Sequence, residues 1–98
     1  MTKEQKTIMV ILRNVQKNNG IIECDYYPET SNDPGHIVYD YINDKIIEKV
    51  YSKSDWDGDM KPYFYYASRV LERITTRECY KQEFVSGEFR DEYRGFWY

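Results

Sequence analysis

The stretch that decides the fold is residues 59–83, DMKPYFYYASRVLERITTRECYKQE. Met60, Phe64, Ala67, Leu71 and Ile74 recur there at three- and four-residue steps, and Tyr63 and Val70 widen the same stripe. The spacing predicts one long amphipathic helix from Asp59 to about Glu83. Asp59 is a suitable N-cap, and Pro62 falls in the first turn, where no intrahelical N–H bond is lost. A helix with one apolar face needs a surface to cover, and the alternating segments upstream can supply a sheet.

Upstream, Thr2-Lys3-Glu4-Gln5 has the form of a capping box, and Ile8, Ile11, Leu12 and Val15 fit helical spacing as well as a strand. The β-branched run from Thr7 to Ile11 and the turn signal Asn19-Gly20 favour a hairpin. With Asn19-Gly20 as a two-residue loop, Val15 is expected opposite Cys24, Arg13 opposite Tyr26, and Lys17 opposite Ile22. Gln16 then faces Glu23 and Asn14 faces Asp25, so one side is largely apolar and the other polar. Pro28 to Gly35 (PETSNDPG) reads as a loop. A second hairpin follows, His36–Ile42 and Ile46–Tyr51 around Asn43-Asp44, with Tyr41 expected opposite Ile46, Tyr39 opposite Glu48 and Ile37 opposite Val50.

Past Glu83 the chain turns at Ser86-Gly87 and carries Phe89, Tyr93, Phe96, Trp97 and Tyr98 among charges. So many aromatic residues in a short segment predict docking, as an extra edge strand or across the helix. The expected fold is therefore α+β, a single domain over residues 1–98. An antiparallel sheet of about four strands, in two hairpins, is covered on one face by one long helix.

Asp25-Tyr26-Tyr27-Pro28-Glu29, then Gly35-His36-Ile37, and finally Trp97-Tyr98 resemble a group of short bacterial and phage-type proteins. Those proteins read as strand, Y-Y-P-E turn, G-H-I strand, helix and W-Y end. The likeness spans about two thirds of the chain and is weakest from Glu78 to Gly95. It implies the same layout and brings no activity with it.

A chain of 98 residues supports one modest core, burying roughly 60–65% of the unfolded surface. It holds no apolar run of membrane-spanning length and no basic-then-apolar leader, which predicts a cytoplasmic protein with no membrane partner. Cys24 and Cys79 match no paired zinc-ligand spacing, and reduced thiols are expected. The net charge of −3 argues against bulk binding to nucleic acid. Eleven tyrosines suit both β-strands and recognition surfaces.

The acidic run Asp55-Trp56-Asp57-Gly58-Asp59 suggests a cation loop. A calcium-binding loop counted from Asp55 would need Gly at its sixth position and Glu at its twelfth, where Met60 and Tyr66 stand instead. No metal and no cofactor are expected. His36 is the sole histidine and has no serine or cysteine beside it in sequence, so acid/base catalysis with an adjacent carboxylate is the minor reading. Glycine-rich phosphate loops are missing from the sequence. Arg69, Arg73, Arg77 and Lys81, four apart, would wind over one broad side of the predicted helix, and a nucleic-acid-associated protein using that row is the alternative reading.

These readings favour a non-enzymatic protein–protein interaction module. Its contact surface is expected around Tyr26, Tyr27, Pro28 and Glu29 and around the C-terminal Phe96, Trp97 and Tyr98, with a homodimer as one version.

Overall fold

The computed structural model describes residues 8–29, 31–55 and 62–97, with Trp97 described by its backbone alone. The elements are β1 (Ile8–Asn18), β2 (Ile21–Pro28), β3 (Gly35–Asp40), β4 (Lys45–Val50), α1 (Pro62–Thr76), α2 (Lys81–Ser86) and β5 (Glu92–Trp97). The strands form one antiparallel sheet in the order β4-β3-β2-β1-β5. The fold is α+β as expected, with five strands among the described residues. The fifth is the aromatic C-terminal segment, which docks as an edge strand against β1.

The first hairpin turns at Asn19-Gly20, both at positive φ (47° and 86°), as a two-residue loop matched to strand twist requires. Near the turn the pairing is the expected one, with Lys17 opposite Ile22 and Gln16 opposite Glu23. Beyond it the register shifts, because Asn14 and Val15 together occupy the length of Cys24 on the partner strand. Leu12, not Arg13, therefore stands opposite Tyr26, and Arg13 stands opposite Asp25. Asn14 takes the left-handed conformation (φ 57°), and its Nδ2 donates to Asp25 Oδ2 at 2.8 Å. The bulge has a clear physical reason. Unbroken alternation from Val15 would send Arg13 and Ile11 into the core, whereas the extra residue sends Leu12 and Val10 there and keeps the guanidinium in water.

The second hairpin also differs from expectation. Its turn is Tyr41–Asp44, four residues instead of two, so Tyr39 pairs with Ile46, Val38 with Glu48 and Ile37 with Lys49. Asp40 dictates this: its Oδ1 accepts the Ile42 and Asn43 backbone N–H groups at 3.0 Å each, and its Oδ2 accepts Asn43 Nδ2 at 2.8 Å. These bonds hold the Asp40 carboxyl below its ordinary pKa, with the Asn43 side chain the largest cause.

The helix is shorter than predicted. α1 ends at Thr76, Arg77 is extended (φ −80°, ψ 137°), and a 3-10 turn over Glu78–Tyr80 leads into α2. Gly87 closes α2 in the left-handed conformation (φ 76°), with its N–H bonded to the Glu83 carbonyl. The predicted stripe holds: Phe64, Ala67, Val70, Leu71 and Ile74 are the buried residues of α1. They pack on Val10, Leu12, Ile22, Cys24, Tyr26, Ile37 and Tyr93, with α1 lying over β1, β2 and β5. The expected cap Asp59 lies outside the described residues. Within the described residues Asp55 serves as a cap, its carboxylate accepting from Phe64 N at 2.9 Å and Tyr63 N at 3.2 Å.

The same carboxylate accepts the Tyr26 hydroxyl at 2.9 Å, and that oxygen accepts Ser52 N–H at 2.9 Å. Strand β2, the segment after β4 and the start of α1 are thus tied at one point. The Tyr26 ring passes over β3 where Gly35 stands, and a Cβ there would lie 2.0 Å from Tyr26 Cε1 and 2.5 Å from the Val50 carbonyl oxygen.

Candidate interaction surface

Both helices lie on one side of the sheet, so among the described elements the opposite face is formed by strand side chains alone. Alternation puts Met9, Ile11 and Arg13 of β1 on this face, since Val10 and Leu12 belong to the core. It likewise assigns Glu23, Asp25 and Tyr27 of β2, His36 and Val38 of β3, and Glu92, Arg94 and Phe96 of β5. The register joins these into rows. Tyr27, Ile11 and Arg94 stand side by side, as do Met9 and Phe96, and as do His36, Asp25, Arg13 and Glu92.

Two zones result. The first is apolar and aromatic: Ile11 at its centre is only 8% exposed although neither described helix covers it, while Phe96 at its edge is 47% exposed. The Arg13 guanidinium lies 5.0 Å from the Tyr27 ring centroid, a cation–π contact that fixes the ring against the sheet. Arg13 also reaches Glu92 at 3.3 Å, and Arg94 reaches Glu92 at 2.8 Å. Those two cations, Arg94 first, lower the Glu92 carboxyl from its ordinary pKa.

The second zone is polar. His36 Nδ1 lies 2.8 Å from Asp25 Oδ1, and its Nε2 lies 3.9 Å from Glu23 Oε2. The other Asp25 oxygen, Oδ2, accepts Asn14 Nδ2. The structure therefore joins His36 to an adjacent carboxylate. This geometry orients the imidazole and can pass a proton. The residues bordering it in the register are Glu23, Val38, Arg13 and Val50, none of them a nucleophile.

The sequence-predicted contact residues divide. Tyr27 and Phe96 share the open face. Tyr26 does not: it is fully buried on the helix side, and its hydroxyl is committed to Asp55 and Ser52. Burial first, then the Asp55 carboxylate, push that hydroxyl well above the ordinary tyrosine pKa. Pro28 is buried as well. Glu29 is tied down by the Tyr63 hydroxyl at 2.8 Å, and burial together with Glu29 pushes Tyr63 up to about 12. The loop that follows is fastened rather than loose: Asp33 accepts Lys53 N–H at 2.6 Å, and Ser31 bonds Ser54 at 2.7 Å. The Trp97 side chain and Tyr98 lie outside the described residues. Met9, Ile11, Arg13 and Arg94 were missed by sequence reasoning, because the run from Ile8 to Leu12 is apolar at every position and carries no alternation.

The basic row is also corrected. Arg69 and Arg73 lie on α1, but Arg77 is extended and Lys81 opens α2, so the four residues do not follow one helix. Arg69 stands 6.0 Å from the Tyr65 ring centroid. Both cysteines are free thiols, Cys24 buried and Cys79 exposed, and burial pushes the Cys24 thiol far up. No group of metal-ligating side chains is assembled among the described residues, and no described helix is long and apolar enough to cross a membrane.

Comparison with protein-family models, with curated proteins and with solved structures finds no match to this chain.

Proposed function

We propose that this chain is a protein–protein interaction module that engages its partner through the uncovered face of the sheet. The observation that supports this reading is the apolar zone of Met9, Ile11, Tyr27 and Phe96, set in neighbouring register positions and flanked by Arg13 and Arg94. Tyrosine, phenylalanine and arginine around an aliphatic centre form the composition of an interface anchor. The partner is a protein surface with an apolar centre and an acidic rim, since the two guanidiniums frame the zone on one side.

Site-specific photo-crosslinking tests the reading. A benzophenone side chain at position 96 is expected to capture one discrete protein in cells, and Tyr27→Ala with Arg94→Glu to abolish the adduct. The same photolabel at the exposed Val85 of α2 serves as control. Equal capture at both positions, or none at position 96, refutes the assignment. An adduct of twice the chain mass identifies the partner as a second copy.

A further inference from the structure

On the other side of the sheet α1 lies over β1, β2 and β5, and it leaves a cleft between itself and the edge strand β4. The cleft encloses about 600 Å³, and its lining includes Lys49, Tyr51, Phe64, Tyr65, Arg69 and Glu72. It continues into a smaller hollow of about 180 Å³ that reaches Asp44 and Glu72. Tyr51 and Tyr65 on its walls are 44% and 55% exposed, and Tyr51 stands edge-on to Phe64 with centroids 5.0 Å apart. The cleft therefore has aromatic walls, two cations against the single acid Glu72 in its larger part, and Asp44 beside Glu72 in the smaller hollow.

We propose that this cleft binds an extended, acidic segment of another protein, laid alongside β4. Three observations select that occupant. First, β4 is an outer strand of the sheet, and the backbone groups on its far side are open to a strand-like ligand. Second, Lys49 and Arg69 both line the larger part against Glu72 alone, while the chain as a whole carries −3, so a carboxylate finds its attraction there. Third, the edge discourages a second copy. An antiparallel β4 centred on Glu48 would set two carboxylates together, and one centred on Ile47 would set Lys45 opposite Lys49. In the resulting complex apolar side chains fill the tyrosine-lined space, an Asp or Glu meets Lys49 and Arg69, and a basic or amide residue lies toward Asp44 and Glu72.

The test is selection of a displayed library of random octapeptides against the full chain, followed by fluorescence anisotropy of the enriched peptide. Enrichment of an acidic residue flanked by apolar ones is expected. The Lys49→Glu/Arg69→Glu double variant, both at exposed positions, should weaken that peptide by about tenfold or more, and Phe96→Asp should leave it unchanged. Amide shifts on binding should fall along β4 and α1. No enriched peptide, enrichment without an acidic bias, undiminished affinity for the double variant, or shifts on the open face would each overturn the proposal. So would a concentration-dependent dimer, seen by sedimentation, that the double variant abolishes. Because the open-face reading is tested at position 96, the two can fail separately.

Discussion

Asp55 is where one substitution should reveal most about how this fold is held. Its buried carboxylate accepts the Tyr26 hydroxyl and two N–H groups at the start of α1. Asp55→Ala removes a helix cap, costing about 1 kcal/mol, and leaves the buried Tyr26 hydroxyl without its acceptor, costing roughly 1–3 kcal/mol more. The expected loss is about 2–4 kcal/mol, a large share of the stability of a small domain. Tyr26→Phe removes the same side-chain bond and the one from Ser52 N–H, for an expected loss of about 1–2 kcal/mol. Since both variants break one shared bond, the double variant should cost less than their sum by about 1 kcal/mol. Urea unfolding of the four chains, followed by far-ultraviolet circular dichroism, measures this. Losses that add to within about 0.3 kcal/mol would show that the two groups are not coupled, and the account of the junction would fall.

Gly35→Ala should destabilise by about 1–3 kcal/mol or prevent folding, because the new methyl meets the Tyr26 ring and the Val50 carbonyl; thermal unfolding checks it. At Asn14, Ala should cost more than Gly by about 1 kcal/mol, because only Ala is strained at φ 57°. Both lose the bond to Asp25, and urea midpoints separate the two. Alkaline titration should show Tyr63 and Tyr93 ionising near 12, well above the ordinary 10.0. Burial is the main cause for both, with Glu29 and Glu83 adding to it. Because the folded values are raised, their stabilising contribution is complete below about pH 10 and is lost as pH climbs through 12. Absorbance at 295 nm and circular dichroism should therefore change together in that window.

The elements that sequence reasoning placed well are those whose signal is local. Asn19-Gly20 announced a turn because few other residues accept positive φ twice in succession, and the Phe64–Ile74 stripe announced α1 because its period is intrinsic to the helix. The errors arose where a side chain overrode the pattern. Asp40 set a four-residue turn by bonding its own following backbone, and Asn14 inserted a bulge that reversed which of Arg13 and Leu12 faces inward. That reversal left no trace in the alternation, because the run from Ile8 to Leu12 is apolar at every position. Tyr26 and Tyr27 could not be told apart for the same reason, since a one-residue slip exchanges core and surface. The cleft beside β4 was invisible, because it depends on where α1 sits across the sheet, which no local pattern encodes.

The strand order carries a kinetic consequence. β1 to β4 follow one another as neighbours, so their hairpins can close early over short loops. The pairing of β1 with β5 joins residues 79 apart, as between Arg13 and Glu92, and the entropy of closing so long a loop is offset only when Tyr93 reaches the core. The pairing of the last strand is therefore expected to form late in folding, and until it does β1 is left as an unpaired border of the meander.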